Sequence, residues 1–351
     1  MNEIACYIHV PFCAAKCPYC DFYSLRGDAT RMEAYTKRCV ELIARDKRRR
    51  WKTLYMGGGT PSVLPPALLG EILGAASGQL AAGAEVTVEC NPGDVTPELR
   101  EVLAANGVNR VSLGLQSAVP REREALGRTA GLEQIQHALN CIRAAGIRNI
   151  SLDVMLGIPG QTIQSLVETL TFCANSGAGH VSAYLLSIEE GTPFGTRAPE
   201  NLPDGDAQAA LYLHCCERLE SLGYRQYEIS NFALPGHESR HNLAYWRCEE
   251  YFAIGPAAHG YTEGQRWHYP RDLDYFLRGG GPIDDGPGGD FEERAMLALR
   301  LSEGLKKPPG DMLEKAKGYE QLGLLVADEE GIRLTRKGFL VSNGVIGGLL
   351  G

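Results

Sequence analysis

Six short apolar runs punctuate the first half of the chain: Ile4–His9, Thr53–Met56, Val86–Cys90, Val111–Gln116, Ile150–Met155 and Val181–Leu186. Their length and their β-branched content predict strands. The segments between them carry helical periodicity with readable ends. Thr96 precedes Pro97 as a helix cap precedes a first-turn proline, and Gly107 stands where that helix should stop. After Thr162, residues Ile163, Leu166, Val167 and Leu170 line one helical face. Strands alternating with helices predict an α/β fold with a parallel sheet and right-handed crossovers. The pattern alone fits both an open doubly wound sheet and an incomplete (β/α) barrel.

Beyond residue 187 the pattern changes. A helix is expected over Asp206–Leu222, followed by Tyr224–Phe232 and a stretch rich in aromatics and histidines, His237–Tyr269. The glycines and prolines from Gly279 to Gly289 read as a linker. Past them, Phe291–Gly304 and Met312–Gly323 read as helices, Leu324–Val326 and Ile332–Thr335 as a small hairpin, and Lys337–Gly344 as a last helix. That order predicts a small α+β, winged-helix-like module. The basic run Lys47–Arg50 reads as the solvated end of a helix, where positive charge suits the dipole.

Composition narrows the function classes. With 44% apolar and 22% charged residues, the 351-residue chain can bury a large core. A net charge of −8 argues against nucleic acid as the main partner. No apolar run reaches the roughly 18 residues of a membrane span, and the N-terminus lacks signal-peptide features. No intrinsic membrane anchor is expected. Eleven scattered cysteines do not make a disulfide framework and suit a reducing cytoplasm.

Three of those cysteines are clustered. Cys13, Cys17 and Cys20 form C-x3-C-x2-C directly after the first predicted strand, at the end of parallel sheets where chemistry is placed. Three thiolates on one loop can hold three irons of a cubic [4Fe–4S] cluster and leave the fourth iron open. The spacing also admits zinc, with His9 completing a Cys3His set. The other eight cysteines lack such spacing and read as small buried hydrophobes.

The segment YIHVPFCAAKCPYCDFYS, with Tyr19 before the last cysteine, resembles the radical S-adenosylmethionine (SAM) superfamily. It is most similar to the branch that holds oxygen-independent coproporphyrinogen III oxidase and the HemW-type haem chaperones. YMGGGTPS, VECNPGDVT, RVSLGLQS, LGRTA, LDVMLGIPGQT and YEISNFALPG extend the likeness over most of the chain. The resemblance implies an incomplete (β/α)6 barrel, a [4Fe–4S] cluster on Cys13, Cys17 and Cys20, and SAM on the open iron. It also implies a division into a radical SAM core (1–235), an extension (236–284) and a HemN-C-like module (285–351).

The same resemblance assigns roles around SAM. Gly58, Gly59 and Thr60 belong to the glycine-rich turn that meets the methionyl ammonium. Glu89 contacts the amine or ribose region, Gln116 is a polar contact, and Asp153 accepts from ribose hydroxyls. Arg128 pairs with the methionyl carboxylate, as its planar guanidinium allows. Tyr7 and Tyr19 are aromatic contacts near cluster and adenine, and Ser187 is a further contact after strand six.

Two departures separate the chain from the oxidase. Phe22 stands where that enzyme carries a fourth cysteine, and only Met1–Glu3 precede Ile4, where the oxidase has an extension over its active site. His241-Asn242-Leu243-Ala244-Tyr245-Trp246 instead matches the H-N-x-x-Y-W pattern of the chaperones, implying His241 as a haem-binding residue; the residues alone also fit a packed core histidine. The implied function is a haem chaperone with haem as cargo and haem-receiving apoproteins as partners. The oxidase is the alternative, and a tRNA-modifying radical SAM enzyme a distant third. A homodimer and a monomer fit the sequence equally well.

Overall fold

The computed structural model describes residues 3–46 and 49–351; Met1 and Asn2, and Lys47 and Arg48 of the basic run, lie outside them. Six parallel strands run in chain order: β1 (Glu3–Val10), β2 (Arg50–Gly58), β3 (Leu80–Cys90), β4 (Arg110–Gln116), β5 (Asn149–Leu156) and β6 (His180–Leu185). Each neighbouring pair is crossed over by one or more helices: α1 (Ala29–Arg45), α2 (Pro66–Ser77), α3 (Pro97–Ala105), α4 (Pro120–Ala125) with α5 (Leu132–Ala144), and α6 (Ile163–Asn175). In the sheet order β1 and β6 are not neighbours, so the barrel stays open. Strand Tyr251–Ile254 extends the β1 side in parallel, and strand Asn231–Ala233 extends the β6 side antiparallel. This is the incomplete barrel that the periodicity left undecided.

The caps explain several helix starts. Thr96 accepts from the Leu99 N–H, and Thr162 accepts from the Ser165 N–H, each filling one of the donors a helix start leaves free. Gly107 has φ +71°, the left-handed conformation that ends a helix at little cost only for glycine.

Period-2 parity divides each strand. Cys6, Ile8, Leu54, Met56, Val86, Val88, Val111, Leu113, Ile150, Leu152 and Val181 are buried in the main apolar core. Tyr7, His9, Tyr55, Glu85, Thr87, Glu89, Arg110, Ser112, Asn149, Ser151, Asp153 and His180 have the opposite parity and line a polar lumen. Parallel strands usually read as continuous apolar runs because both faces meet helices. Here one face meets a lumen instead.

Several boundaries differ from expectation. β3 begins at Leu80 rather than Val86, because a register shift lets Trp51 pair with Leu80 and Thr53 with Glu85, looping out the weakly patterned residues between. The presumed linker contains a strand, Ile283–Pro287, paired with Gln265–His268. Its Asp-Asp-Gly-Pro sequence has no strand propensity; the partner strand imposes it, and its proline is tolerated at a sheet edge. The sheet therefore runs without a break across the expected 235/236 boundary. The helix expected to reach Gly304 stops at Ala298, and the turn at Gly304 (φ +63°) brings Leu305 against Ile332 of the terminal hairpin. Lys337–Gly344 divides between helices Arg336–Leu340 and Ser342–Leu350. Of the basic run, Arg49 stacks over Phe252 at 5.2 Å and Arg50 opens β2. Arg49 is half-buried and Arg50 exposed, and both lie beyond the end of α1.

Candidate functional site

The cysteine loop hangs from the C-terminal ends of β1 and β2. Gly59 donates to the Val10 carbonyl (2.8 Å) and Thr60 to the Phe12 carbonyl (2.7 Å), which ties the glycine turn to the loop entrance. The fit requires glycine. A Cβ at Gly59 would lie 2.5 Å from the Phe12 oxygen, and Gly58 adopts φ +103° with the His9 ring against it. The Thr60 hydroxyl lies 3.4 Å from Cys13 Sγ. Farther along, the Pro18 carbonyl accepts from Phe194 N–H, and Tyr19 packs on Phe194.

Cys13, Cys17 and Cys20 are unpaired and partly exposed, whereas seven of the remaining eight cysteines are buried and Cys248 is partly so. The three sulfurs do not all fall within 4.8 Å of one another. A tetrahedral zinc would hold them about 3.8 Å apart, given a Zn–S bond of about 2.3 Å. His9 is also unsuited as a fourth ligand: its Nδ1 meets the Tyr7 hydroxyl (3.0 Å) and its Nε2 the Tyr23 carbonyl (2.9 Å). Burial lowers its pKa to about 4, so it serves as a neutral strut under the loop. The donor set fits three corners of a cubic cluster rather than one ion.

Around this loop the lumen's open end carries charges that the protein leaves unpaired. Glu89 accepts from the Tyr55 hydroxyl (2.7 Å) and the Gly58 N–H (3.2 Å), and Asp153 accepts from Ser112 (2.9 Å). Neither forms an ion pair among the described residues. Burial raises the Glu89 pKa to about 7 and that of Asp153 to about 6, while both keep partial exposure through which a ligand can reach them. Among the described residues the Arg128 guanidinium donates only to the Tyr19 hydroxyl, at 3.1 and 3.3 Å. Two carboxylates without cations and a guanidinium without an anion are the complement of a bound zwitterion with an additional cationic centre. The amino acid portion and sulfonium of SAM have that charge pattern. Gln116 completes this end: a register shift after Gly114 and φ +64° hold it in a conformation disfavoured for non-glycine residues. Tyr7 borders the same end through His9. Ser187 lies past the end of β6 at Leu185, exposed on the loop at the C-terminal end of that strand.

At the opposite end the lumen is closed by helix Arg240–Trp246. Glu85 accepts the Arg240 and His241 N–H groups (3.2 and 3.0 Å). His241 Nδ1 pairs with the Thr53 hydroxyl and Nε2 with the Tyr245 hydroxyl, both at 2.8 Å, and its ring stacks on Tyr55 at 5.1 Å. The residue is 1% exposed and burial lowers its pKa to about 3. His241 was expected to present a ring nitrogen to haem; here both nitrogens are engaged within the fold, by Thr53 and Tyr245. Glu228 bonds Asn231 and the Ser230 N–H and faces Trp246, so the YEISN segment anchors the same helix.

A cleft of about 460 Å³ opens beside β1, lined by Tyr7 and His9 of that strand, Phe22 and Tyr23 of the cysteine loop, and Tyr245 and His259 opposite. Sequence reasoning did not find this cleft. Nor did it single out Tyr55 and Ser112, the partners of Glu89 and Asp153, although both share the strand parity of the lumen.

Comparison with known proteins agrees with this geometry. The radical SAM superfamily pattern matches residues 7–173, and that of the HemN C-terminal domain matches residues 290–341. The heme chaperone HemW of Lactococcus lactis is 33% identical over 97% of this chain and 95% of its own length. That of Bacillus subtilis is 33% identical over 98% of both, and that of Escherichia coli is 37% identical over 74% of this chain and 70% of its own. Among solved structures, coproporphyrinogen III oxidase (HemN) from Escherichia coli superposes with a TM-score of 0.84 over 99% of this chain and 90% of its own, at 20% identity, a likeness of fold. The chain belongs to the HemW family of radical SAM proteins.

Proposed function

We propose that the protein is a haem chaperone: it binds haem and delivers it to haem-dependent apoproteins, and it holds a [4Fe–4S] cluster and SAM at the open end of its barrel. The observation that carries the reading is similarity to chaperones named HemW over nearly the whole chain, with Phe22 where the oxidase carries its additional cysteine. When bound, the cluster and SAM supply reductive cleavage of a sulfonium C–S bond. The chain's own residues have simpler tasks. Cys13, Cys17 and Cys20 ligate iron. Arg128 holds a carboxylate, Glu89 and Asp153 receive cationic or hydroxyl groups, and the glycine turn lets a ligand approach the backbone closely.

A compartment that keeps thiols reduced suits three partly exposed cluster ligands, which favours the cytoplasm. Among the described residues no helix is long and apolar enough to cross a membrane.

The test is a transfer assay. Protein loaded with one haem should pass it to an apo-haemoprotein, read as the recipient's Soret band. Incubation with coproporphyrinogen III, SAM and a reductant should give no sustained turnover. A vinyl-bearing porphyrin formed over many turnovers would overturn the reading in favour of the oxidase.

A further inference from the structure

We infer that His259, His268 and Asp285 form a binding site for a divalent zinc-type ion, apart from the cysteine loop and the SAM end of the barrel. A ring nitrogen of each histidine and a carboxylate oxygen of Asp285 lie within 4.8 Å of one another. Three successive antiparallel strands supply them: His259–Thr262, Gln265–His268 and Ile283–Pro287. His259 and His268 stand directly opposite each other, which puts both side chains on one face of the sheet, and their rings stack at 5.3 Å. The third donor arrives through an irregularity. Gly286 pairs with Arg266 and Asp284 with Trp267, so Asp285 is the extra residue of a bulge. Gly286, at φ +92°, and the Asp284 carboxylate, which accepts the Gly286 N–H (2.9 Å), hold that bulge. The Asp285 oxygens thereby reach His268 Nδ1 at 2.7 and 2.9 Å.

These donors are available. His259 is exposed, and among the described residues no hydrogen bond engages its ring nitrogens. Asp285 pairs with no lysine or arginine there, because the neighbouring Arg266 is taken by Glu293 at 2.7 Å. A tetrahedral zinc with bonds of about 2.0–2.1 Å spaces its ligand atoms by about 3.3 Å, so the contact between His268 and Asp285 has to open by about half an ångström. Their side chains, 30% and 35% exposed, have room to do so. Two imidazoles with one carboxylate select zinc and its first-row neighbours over calcium and magnesium, which take oxygen ligands. Water completes the coordination. The donor set contains no sulfur, and of its three residues only His259 also borders the cleft beside β1. A bound ion ties the edge strand Ile283–Pro287, which its own sequence does not favour, to the two strands before it.

The experiment is zinc titration of the intact protein with its cluster already reconstituted, so that Cys13, Cys17 and Cys20 are engaged. Calorimetry should show one zinc per chain. Zinc-edge X-ray absorption should show nitrogen and oxygen neighbours alone, at about 2.0–2.2 Å. His259→Ala and His268→Ala should each weaken binding by roughly a hundredfold and Asp285→Asn by roughly tenfold, in proteins whose circular dichroism matches wild type. Zinc should raise the melting temperature of wild type and leave that of the His268→Ala protein unmoved. Three results would overturn the assignment: no zinc taken up by the cluster-loaded protein, sulfur neighbours at about 2.3 Å, or wild-type affinity retained in both histidine variants. None of them bears on the chaperone reading, which the haem-transfer assay tests separately.

Discussion

At the closed end of the barrel Glu85 accepts from the His241 N–H, His241 bonds the Thr53 hydroxyl, His180 bonds the Ser151 hydroxyl, and Arg110 bonds Asn149 and the His237 carbonyl. Among the described residues charged groups at both ends lack ion-pair partners, but Glu85, Arg110, His180 and His241 are buried, whereas Glu89, Asp153 and Arg128 at the open end stay partly exposed. Both ends belong to one polar lumen and to the same strands. The difference shows which polar residues keep the fold together and which are kept available. Polar groups buried within the fold specify packing, whereas charged groups that a ligand can still reach are available for binding.

Substitutions should separate the ends. The largest effect falls on the loop: replacing Cys13, Cys17 or Cys20 by Ala should abolish incorporation of a [4Fe–4S] cluster, read as iron and sulfide content after anaerobic reconstitution. Retention of full iron content in all three variants would remove the cysteines as ligands.

At the closed end, His241→Ala removes a packed ring and leaves the Thr53 and Tyr245 hydroxyls without their partner. It should lower unfolding free energy by about 3 kcal/mol, measured by denaturant melts, with SAM affinity unchanged in the folded fraction. A neutral effect on stability would show that His241 does not hold this end together.

Arg128→Lys should do the reverse. The point charge remains but the two-pronged geometry is lost, so SAM affinity should drop by roughly tenfold while stability moves by less than about 0.5 kcal/mol. Calorimetric titration with SAM distinguishes the two.

The smallest effect is in pH dependence, and its sign differs between the ends. Glu89 has a folded pKa near 7, above its ordinary 4.5, so the folded state binds the extra proton. Stability from this group is present at low pH and is lost as pH rises to about 7. Glu89→Gln should therefore stabilise the ligand-free protein by about 1 kcal/mol at pH 8 and by little at pH 4. His241 has a folded pKa near 3, below its ordinary 6.5. Its contribution is full above pH 6.5 and is lost as pH falls toward 3. Melting curves of each variant minus wild type isolate the two trends; parallel trends would contradict the contrast.

Much of this was legible in the sequence. The six parallel strands follow from short apolar runs whose outward residues bury against helices, and C-x3-C-x2-C directly after the first of them put the cysteine loop at its C-terminal end. The parity of Thr87 and Glu89 in β3 already separated lumen from core. The cleft was not legible, because strands Tyr251–Ile254, His259–Thr262, Gln265–His268 and Ile283–Pro287 are only four or five residues long and exist through pairing with one another and with β1. His259 has no motif around it. His241 has one, but a motif reports that a residue is constrained, not whether the constraint is chemistry or packing. Its burial against Thr53, Glu85 and Tyr55 comes from elements roughly 150 residues or more away in sequence.

The central claim is that the open end completes its charges by taking SAM beside an iron–sulfur cluster. Electron paramagnetic resonance of the reduced, reconstituted protein with and without SAM tests it most directly. The account predicts a cluster signal that shifts on SAM addition in wild type and in folded His241→Ala, with the shift weakened in Arg128→Lys. A protein that holds one tightly bound zinc and takes up no iron, or a cluster signal indifferent to SAM, would contradict it.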